Sequence, residues 1–168
     1  MKQLFFLITT ISALAFFSCK NSTTENETSE GTKQIEFSIN GNAFTMLVPD
    51  TAKGTLEIKE QSWGATEVVI GSGFQISITE GEGDITLMKS DIAGNDVNKF
   101  KRFINDEPNL LLWESEIVKP EFHFYTVQKI EKSSFIIEDM KAEVFTEQDV
   151  KAMLNAAKSL KVKSQNVK

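Results

Sequence analysis

QIEFSINGNAFTMLVP, residues 34–49, decides the fold. Ile35, Phe37 and Ile39 alternate with polar residues before Asn40-Gly41, and Phe44, Met46 and Val48 alternate after it. Asn-Gly supplies the positive φ that a two-residue hairpin turn needs at both central positions, so the stretch reads as two antiparallel strands. With that pair at the tip, Phe37 faces Phe44 and Ile35 faces Met46. All four side chains share one face, and its burial fixes the register, because a one-residue slip would turn each of them to solvent. Pro49 ends the second strand.

Further along, Leu56 and Ile58 continue an alternating strand. A second hairpin brings Glu67–Ile70 against Phe74, Ile76 and Ile78 across Gly71-Ser72-Gly73. From Asp84 the period changes. Ile85, Met88 and Ile92, then Val97, Phe100, Phe103 and Ile104, recur at three- and four-residue steps and predict helix, broken at Gly94-Asn95-Asp96 and bounded by Pro108. Strands follow at Leu110–Glu116, Glu121–Ile130 and Ser134–Val144. Thr146 caps a last helix, with Asp149 three residues on and Phe145 stapling to Val150. Val150, Met153, Leu154, Ala157 and Leu160 form its apolar stripe, after which the tail should fray. The expected class is α+β, an antiparallel sheet of about seven strands with a mid-chain helix and a C-terminal helix.

This element order, with an opening hairpin that ends in Val48-Pro49 and a helix after the last strand, loosely resembles the Mog1/PsbP-like α+β domains. The aromatic residue which that family often places soon after its Val-Pro is absent here, since Trp63 lies far downstream. The resemblance implies a fold and no function.

Ahead of the domain stands an apolar run, Leu4–Phe17, preceded by Lys2 and followed by Ser18 and Cys19, the single cysteine of the chain. The run is too short for a spanning helix, which needs roughly 20 apolar residues, and Thr9, Thr10 and Ser12 interrupt it. It resembles a bacterial lipoprotein signal, although Phe16 and Phe17 stand where that motif prefers Leu and a small residue. The resemblance implies that residues 1–18 are removed and that Cys19 is acylated, palmitate among the acyl groups, which ties the protein to a lipid bilayer. Lys20 in place of Asp favours the outer membrane by analogy with Gram-negative lipoproteins. Whether the domain faces the periplasm or the exterior stays open. A lone thiol can form no internal disulfide in an oxidising compartment, and acylation removes it.

Residues 19–33 read as the lipidated cysteine and a tether, KNSTTENETSEGTK after Cys19, without a large apolar side chain to offset ordering entropy. Such a linker has an r.m.s. span of about 20 Å. One folded domain occupies residues 34–163, and residues 164–168 form the tail. Removing Lys2 with the signal leaves 17 basic against 24 acidic residues, a net charge of −7. That balance, with no basic stripe interleaved with aromatics, argues against nucleic-acid binding.

Chemistry-bearing residues are few. On a strand, Glu121, the lone histidine His123, and Tyr125 share one face and could support acid–base work. A hydrogen-bonded imidazole on a half-buried strand is the commoner arrangement, and no second His or free Cys completes a zinc site. Glu80, Glu82 and Asp84 look like the start of a calcium loop but lack its sixth-position glycine, so Asp84 reads as a helix cap. Trp113 reads as buried under a helix, and Trp63 as an exposed contact for a partner. Asp50-Thr51-Ala52 resembles an Asp-Ser/Thr-apolar O-glycosylation site of exported bacterial proteins, which implies modification at Thr51, readable from the intact mass. No cofactor or metal is expected and no residue is assigned catalysis. The sequence reads as a membrane-anchored envelope lipoprotein, a non-enzymatic binding or accessory protein with an unknown envelope partner. The alternatives are a hydrolase-like enzyme using Glu121, His123 and Tyr125, or a structural subunit of a membrane complex docking through Trp63.

Overall fold

The computed structural model describes residues 31–141 and 143–164. The expected signal segment 1–18, Cys19, the expected tether up to residue 30 and the end of the expected tail, 165–168, lie outside the described residues. Ten strands and two helices follow in the order β1 (Thr32–Ile39), β2 (Asn42–Pro49), β3 (Leu56–Glu60), β4 (Ala65–Ile70), β5 (Gln75–Glu80), α1 (Ile85–Ala93), β6 (Lys99–Glu107), β7 (Leu110–Glu116), β8 (Pro120–Ile130), β9 (Ser133–Asp139), α2 (Glu147–Lys158) and β10 (Lys161–Val162). The class is α+β with a seven-stranded antiparallel sheet, order β3-β4-β5-β9-β8-β7-β6, a mid-chain helix and a C-terminal helix.

The opening hairpin has the register its turn dictates, Phe37 opposite Phe44 and Ile35 opposite Met46, with Asn40 and Gly41 both at positive φ. It does not join the large sheet. With β10 it forms a second sheet, β1-β2-β10. Its apolar face and α2 together cover one face of the large sheet, where Val48, Val68, Ile76, Ile78, Phe124, Ile137, Phe145 and Met153 make the main core. A smaller cluster sits on the other face under α1, built from Ile92, Leu111, Trp113 and Tyr125.

Three expectations are corrected. Helix α1 ends at Ala93, and Val97, Phe100, Phe103 and Ile104 do not continue it: residues 99–107 form edge strand β6. Its pairing with β7 shifts between Phe100 and Arg102 and again between Phe103 and Asn105. Each shift inserts an extra residue, so Phe100 and Phe103 come onto one face three positions apart, with ring centroids 4.6 Å apart. Bulged strand thus imitates helical spacing. Residues 161–163, after α2, are also not frayed. Lys161 and Val162 pair with Thr45 and Phe44 of β2, and the Lys163 N–H donates to the Ala43 carbonyl at 2.9 Å. Strand β9 is shorter than its apolar pattern suggests and stops at Asp139.

The second hairpin, β4–β5, forms across Gly71-Ser72-Gly73 as its sequence predicts. Helix α2 carries a complete capping box, Thr146 accepting from the Asp149 N–H and Asp149 from the Thr146 N–H. The exposed sheet edges carry charge: Glu57 pairs with Lys59 on β3, and Lys101 and Arg102 of β6 pair with Glu116 and Glu114. That discourages another chain from adding to either edge.

Candidate functional site

Strand β8 places Glu121, His123 and Tyr125 on the α1 face of the sheet, as its alternation requires, and all three are buried. Across the ladder to β7 they oppose Ser115, Trp113 and Leu111. The Trp113 indole lies against the imidazole, with ring centroids 5.3 Å apart and planes tilted by 34°. Trp113 itself is buried beneath α1.

The partner that gives His123 its orientation is Asp139. Pairing between β8 and β9 ends at Tyr125–Glu138, and the next residue of β9 turns its carboxylate into the gap. One oxygen accepts the Phe124 backbone N–H at 2.7 Å, and the other lies 2.8 Å from His123 Nδ1. The Asp139 side chain is wholly buried. A carboxylate already taking one N–H is best satisfied by a second donor, which assigns an imidazole proton to Nδ1; Nε2, the other ring nitrogen, is buried. Among the described residues Nε2 has no hydrogen-bond partner; Glu121 Oε2 is the nearest carboxylate oxygen, at 3.9 Å. The hydroxyl of Ser115, opposite Glu121, is likewise buried without a partner.

Beside this pair, between α1 and the sheet, lies a cavity of about 150 Å³. Met88, Ile92 and Trp113 give it an apolar wall, His123 a polar one, and Asp91, Asn95, Asn98 and Lys141 a rim bearing both signs of charge. Asn95 is held in place because its carbonyl oxygen accepts the N–H groups of Val97 and Asn98. At ~30 Å³ per water the space suits a handful of waters or one small polar molecule.

The structure does not bring Glu121, His123 and Tyr125 together on this cavity. Of the three, only His123 lines the cavity. The Tyr125 hydroxyl reaches the far end of α1, where a methyl group on Gly83 would lie 2.7 Å from it. Burial, and next the negative charges of Glu138 and Asp84, push this phenol above its ordinary value. Tyr125 is the single tyrosine, so its phenolate absorbance reports it directly. The midpoint should lie above about 10 in the folded protein and return to about 10 in denaturant. Because the unfolded chain gives up this proton first, the contribution to stability is complete below pH ~10 and falls as pH rises beyond it. A folded-state midpoint at or below the ordinary value would contradict the burial.

Other sequence candidates are used locally. Asp84 caps α1 by accepting the Leu87 N–H at 2.9 Å. Glu80 accepts from Ser133 Oγ and Asn40 Nδ2, which holds it below the usual carboxylate range, and Glu82 accepts from Ser134 Oγ. No group of three potential metal ligands occurs among the described residues. Trp63 stands 69 % exposed in the β3–β4 turn, and Thr51 is exposed in the turn after β2. No sequence pattern marked Asp139, because its meaning comes from a strand neighbour 16 residues away.

No family model matches the chain, and neither a curated protein nor a solved structure matches it at a significant level.

Proposed function

We propose that this chain is a lipid-anchored binding or accessory protein of the bacterial cell envelope, held to the outer membrane through acylated Cys19. The observation that carries the reading is the Met1–Cys19 segment: one cation, a short apolar run, a small residue and the chain's single thiol. One acyl chain binds a bilayer only reversibly, whereas several anchor stably, so a multiply acylated Cys19 keeps the domain at the surface. The cavity beside His123 serves as the small-molecule site, and Trp63 offers the contact for an envelope partner. Metabolic labelling with palmitate followed by detergent phase partitioning tests the anchor. The wild-type protein should carry label and enter the detergent phase, while Cys19→Ala should lose the label and move to the aqueous phase. Retention of Cys19→Ala with membranes would overturn the reading.

The Asp139–His123 pair favours a second reading, in which Nε2 acts as a general base in a hydrolase-like enzyme. Among the described residues no Ser, Thr, Cys or Tyr lines the cavity to serve as nucleophile, so this reading takes water in that role. Any hydrolysis retained in His123→Ala would eliminate it.

A further inference from the structure

The two ends of the large sheet differ. The turns after β4 and β7 and the chain after β9 share one end, because each strand runs antiparallel to its neighbour. The described chain also begins there. The Gly31 carbonyl accepts the Asp50 N–H, and a few residues on Gly54 packs so closely on Gly71, in the β4–β5 turn, that a methyl group would come within 2.5 Å of its nitrogen. At this same end Val97 is 72 % exposed, Ile117 51 % and Val118 90 %. Ile117 and Val118 occupy the β7–β8 turn, where chains ordinarily place Gly, Asn, Asp or Ser. Lys119 follows them, a long cation able to keep its ammonium among phosphates while its stem lies against apolar surface. Trp63 marks the opposite end, in the β3–β4 turn.

We propose that the end carrying Val97, Ile117 and Val118 lies on the lipid bilayer, with these side chains entering the headgroup–acyl boundary. The inference rests on the lipid-anchor reading and adds the orientation of the domain. Chain length carries it. Residues 19–30 are twelve residues and span at most about 40 Å when fully extended. Strand β8 alone has 11 residues, about 36 Å at the usual rise. Turning the opposite end to the bilayer would need these twelve residues to reach nearly their full extended length along the domain, whereas with this end down the gap they must bridge is far shorter.

Mature lipidated protein in vesicles of phosphatidylethanolamine and phosphatidylglycerol, doped with phosphatidylcholine brominated on its acyl chains, tests the orientation. Three proteins are compared: wild type, Trp63→Phe, and Trp63→Phe with Val118→Trp. All three share buried Trp113, which is subtracted through the second. The indole placed at 118 should lose most of its emission to the bromines and shift to the blue, while Trp63 in the wild type should keep its own. Val97→Trp in the Trp63→Phe background should follow the first pattern, and it replaces the 118 reporter should that variant fold poorly. Vesicles that float with the protein bound but leave both placed indoles unquenched would overturn the orientation and point to a protein partner on these valines. Protein that fails to float would overturn the anchor, and the orientation with it.

Discussion

Replacing Asp139 with alanine should lower the unfolding free energy by about 2–6 kcal/mol, since two buried donors lose their acceptor and each unsatisfied group costs about 1–3 kcal/mol. The donors are the Phe124 N–H and the His123 ring nitrogen, both within 2.8 Å of the carboxylate and both shut away from water. The midpoint of urea unfolding should fall with the slope unchanged, which separates lost stability from a changed denatured state. Asp139→Asn should cost less. Its oxygen still accepts from Phe124, but its amide now faces Nδ1, and the imidazole must move its proton to Nε2 to accept that amide. Ring-nitrogen chemical shifts of His123 would report the tautomer exchange, which a purely spatial role for Asp139 would not cause. An alanine variant as stable as the wild type would show that the carboxylate does not hold this junction.

This pair also shapes what the cavity can offer. Asp139 holds the His123 ring through Nδ1, so the ring stands as a fixed wall of the cavity, while Nε2 is buried. Asp91 and Lys141 at the rim present opposite charges, and Met88, Ile92 and Trp113 supply apolar contact. A small molecule with an amino or hydroxyl donor and an apolar body fits that lining better than a bare anion does. Lys141 already lies 3.4 Å from Glu138, which lessens its pull on an anion.

The parts of the fold legible in the sequence are those fixed by neighbours along the chain. Asn40-Gly41 sets the β1–β2 register by itself, and Thr146 with Asp149 starts α2 within one turn. Strand β6 was misleading because bulges at its pairing with β7 replace a two-residue period by three, and periodicity alone cannot separate that from helix. Strand β10 escapes a pattern search because two residues join the sheet through backbone hydrogen bonds, which any side chains permit. The site follows the same division. The common face of Glu121, His123 and Tyr125 follows from strand alternation, but the separation of Tyr125 from the cavity and the arrival of Asp139 depend on how α1 and β9 pack. No local signal carries either.

Phe145→Ala should be the most damaging change at the start of the last helix, costing about 3–5 kcal/mol as buried Phe-to-Ala replacements do. Thr146→Ala, one residue on, removes the cap and should cost about 1 kcal/mol. The difference follows from what each side chain touches. Thr146 is exposed and serves only the first turn of α2, whereas Phe145 is buried in the main core beside Val150. Its carbonyl accepts the Phe122 N–H at 3.3 Å, on the stretch of β8 that β9 no longer covers, and alanine would keep that bond. The loss at Phe145 thus measures side-chain packing alone. Denaturant titration of both variants gives the comparison, and a Phe145 variant no less stable than the Thr146 one would mean that the cap, not the core, holds α2 against the sheet.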